Sequence, residues 1–161
     1  MISLKGKNAL GIERETHNSI LLSIKPKWFE LIKSGKKTTE IRRRFCEVNC
    51  DDDLFFYVSS PVKKICGKVT GAVSATYWNR EDIKLMLLEN SCLSYDEMFN
   101  YLEGAREIHA IYFSQLDAIE ELDLELKDFG LSRPPQNYCY LRKRIFCNAD
   151  FIFEDYRGRD S

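Results

Sequence analysis

Eight residues constrain this chain more than any others: Gly35-Lys36-Lys37-Thr38-Thr39-Glu40-Ile41-Arg42. They gather a glycine, two lysines, a glutamate and an arginine at a junction between helix and strand. Residues 26–34 before them read as a short helix. Pro26 suits its first position, where a backbone N–H would have no partner anyway. Trp28, Leu31 and Ile32 form an i, i+3, i+4 apolar stripe, and Gly35 supplies the left-handed stop. Residues 38–43 are rich in β-branched side chains and are expected to be extended. In a strand, Glu40 and Arg42 share one face while Thr39 and Ile41 share the other. Lys37 precedes that alternation, so its direction is not fixed by it. Read alone, the segment is a surface Glu40–Arg42 pair with lysines solvating a helix end.

The flanking sequence changes that reading. Ile24-Lys25-Pro26 leads into the Trp28-containing helix; Phe56-Tyr57-Val58-Ser59-Ser60-Pro61 and Ile65-Cys66-Gly67-Lys68-Val69 follow as strands. Together with Gly35-x-Lys37-x-x-Glu40-x-Arg42, these stretches resemble the ASCH family, part of the PUA-like superfamily of small β-barrels. The resemblance spans residues 19–145 and is weakest over 78–105. It implies an α+β, mainly β fold: a mixed, mainly antiparallel PUA-like barrel of five to seven strands. Short helices would cover its ends, with the 26–34 helix across one of them. It also implies that Lys37, Glu40 and Arg42 line a ligand cleft, with Gly35 turning the chain.

Length and composition fit one folded domain. The 161 residues are 44% hydrophobic and 30% charged, unlike a disordered chain. The expected organisation is an N-terminal arm over 1–18, the domain over 19–147 and a tail over 148–161. No apolar run has the length of a membrane helix, and residues 1–16 lack the apolar core of a secretory signal. Six cysteines in such a chain suggest reduced thiols, hence a cytoplasmic protein. The net charge of −1 hides an asymmetry. Residues 1–70 carry 14 Lys and Arg against 8 Asp and Glu; residues 71–161 carry 10 against 17. The basic half holds the motif, as a surface meeting phosphate requires.

Along the chain, strands are expected at 19–25, 54–59, 63–77, 108–116 and 138–146. Pro61 stops the second, and Gly67 and Gly71 introduce bends into the third. Asn79 is expected to cap a helix running to residue 88. Ser94 and Glu97 form a capping box that opens another helix, ended by Gly104. This helical pair reads as an insertion between strands, with the position of a lid. Residues 122–130 are an acidic turn or short helix, and 132–138 are an extended entry to the last strand.

The chemistry centres on the motif. Lys37 offers a point charge to a phosphate or carbonyl oxygen, and Arg42 a planar fork. Glu40 can orient either cation, accept from an exocyclic amine, or act as a general base. Lys25, Lys63, Lys64 and Tyr138 are further candidates for ligand binding. With Lys27, Lys68, Arg43 and Arg44, the lysines can make a path for a nucleic-acid backbone. Trp28, Phe56, Tyr57, Tyr138 and Tyr140 can stack on bases, or simply fill the core. Arg142-Lys143-Arg144 reads as a solvated strand edge, and His109 as a core or rim residue.

The reading that results is an RNA- or nucleotide-binding module. A hydrolase of the same fold is the alternative, acting on RNA phosphodiesters or an acylated nucleoside, with Lys37 and Glu40 catalytic. Some members of the superfamily use a threonine nucleophile on acetylated cytidine. Glu40 stands at that position here, beside Thr38 and Thr39, and a carboxylate cannot replace the hydroxyl without a change of mechanism. A third reading is a protein-interaction module using Glu120, Glu121, Asp123 and Glu125. No cofactor is indicated, and no metal: Cys46-x-x-x-Cys50 with Cys139 and Cys147 lacks tight ligand pairs. The partner would be RNA, a nucleotide or a nucleoside, with no membrane; the oligomeric state is left open.

Overall fold

The computed structural model describes residues 17–114, 119–145 and 151–156, the stretches 142–145 and 151–156 by backbone alone. The hub is β1 (Ser19–Ile24), parallel to β3 (Asp53–Val58) and antiparallel to β8 (Tyr138–Ile145). Both of its faces are covered. Ile20, Leu22 and Ile24 join a cluster with Phe29, Phe56 and Ile111, while Leu21 joins another with Phe55, Ile65 and Phe129. A strand buried on both sides reads as a continuous aliphatic run, which is why residues 20–22 barely alternate. With β4 (Lys64–Thr70), β7 (Glu120–Leu124) and β9 (Phe151–Tyr156), these strands form one sheet in the order β7-β4-β3-β1-β8-β9.

A second, antiparallel sheet has the order β2-β6-β5, from β2 (Thr39–Arg42), β6 (Glu107–Tyr112) and β5 (Val73–Trp78). One face of it carries the hairpin of α2 (Glu81–Ser91) and α3 (Tyr95–Leu102). Ile41, Ile108 and Ala110 meet Leu87, Met98 and Leu102 there. The expected mainly-β fold with short helices is present. The expected barrel is not closed by the pairing of the described strands, which number nine in two separate sheets.

Gly71 accounts for part of that difference. At φ +101° it ends β4, and the chain resumes as β5 in the other sheet. The single segment expected over 63–77 is therefore two strands. Gly67 has another role. A Cβ there would lie 2.7 Å from Ile119 and 3.1 Å from the Phe29 ring, so its absence lets α1 (Pro26–Lys33) settle on β4. Phe29 and Ile32 are the buried face of α1; Trp28, expected in the core stripe, turns to one side.

Other expectations divide. Ser94 and Glu97 make the capping box at the start of α3. Asn79 does not cap α2, whose N-cap is Arg80; its amide instead donates to the carbonyls of Leu102 and Ala105. The acidic stretch supplies strand β7 before a short 3₁₀ turn, Leu126–Phe129, that Gly130 closes at φ +72°. Strand β9 lies in what the sequence suggests is a tail. Residues 1–16 of the expected arm, Leu116 and Cys147 lie outside the described residues, as do the side chains of Arg142, Lys143 and Arg144.

Candidate functional site

The turn after α1 sets the site. Gly35 takes φ +77°, and the Lys37 N–H donates back to the Leu31 carbonyl at 2.9 Å. This brings Lys37 beneath the helix before β2 begins. The end of α2 anchors the segment from the other side, its Asn90 carbonyl accepting from the Thr38 N–H at 3.0 Å. Along β2 the pleat sends Thr39 and Ile41 inward, and Glu40 and Arg42 to the opposite face.

Lys37, Glu40 and Arg42 form one ion network. Lys37 Nζ is 3.1 Å from Glu40 Oε2, and Arg42 Nε donates to Glu40 Oε1 at 2.9 Å. Lys37 is 2% exposed, yet its charge is well accommodated. Its ammonium also donates to the Ser91 carbonyl at the C-terminus of α2, the negative end of the helix. The Trp28 ring lies 5.0 Å from it, a cation–π distance. Arg42 spreads its fork further, Nη2 to the Ser23 carbonyl at 2.8 Å and Nη1 to Asn137 Oδ1 at 3.0 Å. Asn137 in turn donates to the Arg44 carbonyl. The motif thereby ties β1, β2, α2 and the entry to β8 together.

These three side chains border one cavity of about 600 Å³. Ser23, Lys25, Trp28, Ser59 and Gln136 contribute to its wall from the large sheet and α1; Leu93, Glu97, Asn100 and Tyr101 contribute from the helical hairpin. Glu97, Asn100 and Tyr101 are spaced i, i+3, i+4, so they share one face of α3. The capping box marks Glu97 only as a helix cap, and no motif flags Asn100 or Tyr101. The signal that finds them is helical periodicity counted from the capping box at Ser94.

The other candidates are placed elsewhere. Gly35 shapes the turn without lining the cavity. Lys63 is exposed at φ +55°, and Lys64 pairs with Asp123 at 2.7 Å on the outer face of β4. The acidic strand β7 also holds Lys33 through Glu121 and Lys68 through Glu120. The continuous basic path is therefore interrupted at Lys64 and Lys68, which pair with the acidic residues read as an interaction surface. Tyr138 is not at the cavity. It packs 4.6 Å from Phe45 and beside Tyr140, and burial raises the pKa of its hydroxyl. Phe56 and Tyr57 are core. Of the five aromatics considered for stacking, Trp28 alone borders the cavity.

His109 sits on β6 against Thr76 and Glu107. Cys46 is buried, which pushes its thiol up to about 11. Among the described residues no group of three or more His, Cys, Asp or Glu is arranged to hold a metal ion. Among the same residues no helix is long and apolar enough to cross a membrane.

The ASCH domain model matches residues 22–116. An ASCH domain-containing ribonuclease of Zymomonas mobilis is 30% identical over 131 residues, covering 76% of this chain and 84% of the relative. The crystal structure of ASCH from Zymomonas mobilis is similar, with a TM-score of 0.64 and 25% identity over 78% of this chain and 88% of that one. A point mutant described as ZmASCH, from the same organism, gives the same TM-score, with 25% identity over 78% of this chain and 89% of that one.

Proposed function

The chain belongs to the ASCH domain family, and on that premise we propose that its Lys37–Glu40–Arg42 cavity binds RNA or a nucleotide within it. The observation that carries the reading is the convergence of those three side chains with Trp28 and Lys25 on one concavity. A volume of about 600 Å³ lies within the roughly 300–1,000 Å³ usual for small-ligand clefts. Lys25, Lys37 and Arg42 outnumber Glu40 and Glu97 around it, a balance that favours a phosphate group. The fold implied by the family, a PUA-like barrel, belongs to the same proposal.

Hydrolysis of RNA in this cavity is a second reading, favoured by the ribonuclease among the relatives. Lys37 would then stabilise charge on the phosphoryl group and Glu40 would take up a proton. Nothing comparable favours the amide hydrolase: Thr39 is buried away from the cavity, and Glu40 stands where the threonine nucleophile is needed.

Fluorescence anisotropy with a labelled single-stranded RNA across a salt series tests the binding reading. Affinity is expected to fall as salt rises, and Lys25→Ala to make the slope shallower by about one unit on the logarithmic plot. Absence of binding at low salt, or a slope indifferent to Lys25→Ala, overturns it. Glu40→Gln keeps shape and removes charge; retained binding with lost cleavage supports the hydrolase with Glu40 as base, cleavage by the variant at the wild-type rate removes Glu40 from that role, and cleavage by neither protein removes the hydrolase.

A further inference from the structure

The polar groups around the cavity fall into two sets. Lys37, Glu40 and Arg42 already satisfy one another, the Ser91 and Ser23 carbonyls and Asn137. The side chains of Lys25, Asn100 and Tyr101 line the same space and have no hydrogen-bond or ionic partner among the described residues. Tyr101 leaves 41% of its surface exposed, although an aromatic on a short amphipathic helix ordinarily buries its ring. Its neighbours Met98 and Leu102 do face the core. Tyr101 is thus held on the cavity wall by the register of α3.

Resting on the RNA reading above, we infer that this face of α3 is the base-reading wall of the cavity and selects an unpaired base carrying an exocyclic amine, adenine foremost. Tyr101 supplies the stacking surface, Asn100 the base-edge contact and Lys25 the cation for the attached phosphate. An amide side chain offers a donor and an acceptor side by side, the pattern that adenine's N6 amine and ring nitrogen complement. Glu97 adds an acceptor of the same sense. The Ser94 N–H bonds one of its oxygens at 2.8 Å, and a carboxylate keeps further lone pairs for an amine. Uracil, with a carbonyl where adenine has the amine, would set oxygen against oxygen there. Recognition of this kind needs the base splayed out of a helix, so single strands are bound and duplexes are not.

Oligo(A), oligo(U) and an A·U duplex, each labelled, are compared by anisotropy with the full chain. Expected is tighter binding of oligo(A) than of oligo(U), with the duplex weakest. Tyr101→Ala weakens oligo(A) binding roughly 5- to 150-fold, the range of one lost stacking contact; Tyr101→Phe, which keeps the ring, restores it. Asn100→Ala weakens oligo(A) binding, and Glu97→Gln, whose amide can donate to uracil's carbonyl, brings the oligo(A) and oligo(U) affinities together. All three side chains are exposed, so the variants keep the fold, checked by circular dichroism. If salt-dependent binding through Lys25 persists while Tyr101→Ala and Asn100→Ala behave as wild type, this inference is wrong and the RNA reading stands. If no RNA binds at low salt, both fall.

Discussion

The two walls of the cavity are built on opposite principles. The β2 wall presents a buried lysine and glutamate and a nearly buried arginine whose bonds are made internally. The α3 wall presents Asn100 and Tyr101 to solvent, with Glu97 half committed to its own helix cap. Burying charge is costly unless each ion is paired and hydrogen-bonded, so the first wall must be complete before any ligand arrives. The second wall costs little to leave open. The difference teaches that a residue can be the most recognisable in a chain because the fold needs it, while a neighbour without any motif is the one left open to solvent.

The largest effect that separates the walls is expected from Glu40→Ala. It strands Lys37 and Arg42 as uncompensated, nearly buried cations, and removing one partner of such a network costs about 3–5 kcal/mol. Asn100→Ala and Tyr101→Ala should stay within about 0.5 kcal/mol of wild type, as exposed substitutions do. Urea titrations of the three variants measure both; equal stabilities would erase the distinction. Next comes Asn137→Ala, which leaves Arg42 Nη1 and the Arg44 carbonyl without their partner. A loss of about 1–3 kcal/mol is expected, with the same assay as its check.

The smallest effect concerns pH and belongs to the α3 wall. The Ser94 N–H and hydroxyl lower the pKa of the Glu97 carboxyl, with Lys27 of α1 helping. For an acid depressed in the fold, the stabilisation is present above its unfolded pKa and is lost as pH falls through its folded one. The carboxyl is fully exposed, so the effect on stability is slight. Carboxyl titration by NMR should nevertheless find Glu97 below free glutamate, and Ser94→Ala should move it back toward that value. An unshifted Glu97 would mean that its second oxygen is no better fixed for a ligand than any surface carboxylate.

Much of this was legible in the chain, for identifiable reasons. Pro26, Gly35 and the Thr39–Arg42 alternation specify a helix, a turn and a strand by local sterics, and the structure has all three. The Ser94–Glu97 box is equally local. What the sequence hid was non-local. Gly71 reads as a bend within one strand, yet it passes the chain between sheets, because which sheet β5 joins depends on β6 more than 30 residues later. Lys64 reads as part of a basic path until β7 is laid beside it with Asp123. Tyr138 reads as a ligand residue until Phe45 fills the space over its ring. Asn100 and Tyr101 carry no signature, since a polar helix face looks the same whether it meets water or a cavity.

The chain has only two tryptophans, and they lie in different places: Trp28 on the cavity and Trp78 on β5, 57% exposed beside Arg106. Their indole N–H signals in a ¹⁵N-labelled sample, assigned with Trp78→Phe, report on the cavity and on a remote surface in a single titration with single-stranded RNA. The account predicts that the Trp28 signal moves to saturation while that of Trp78 stays in place. Movement of Trp78 alone, or of neither at saturating RNA, would contradict it.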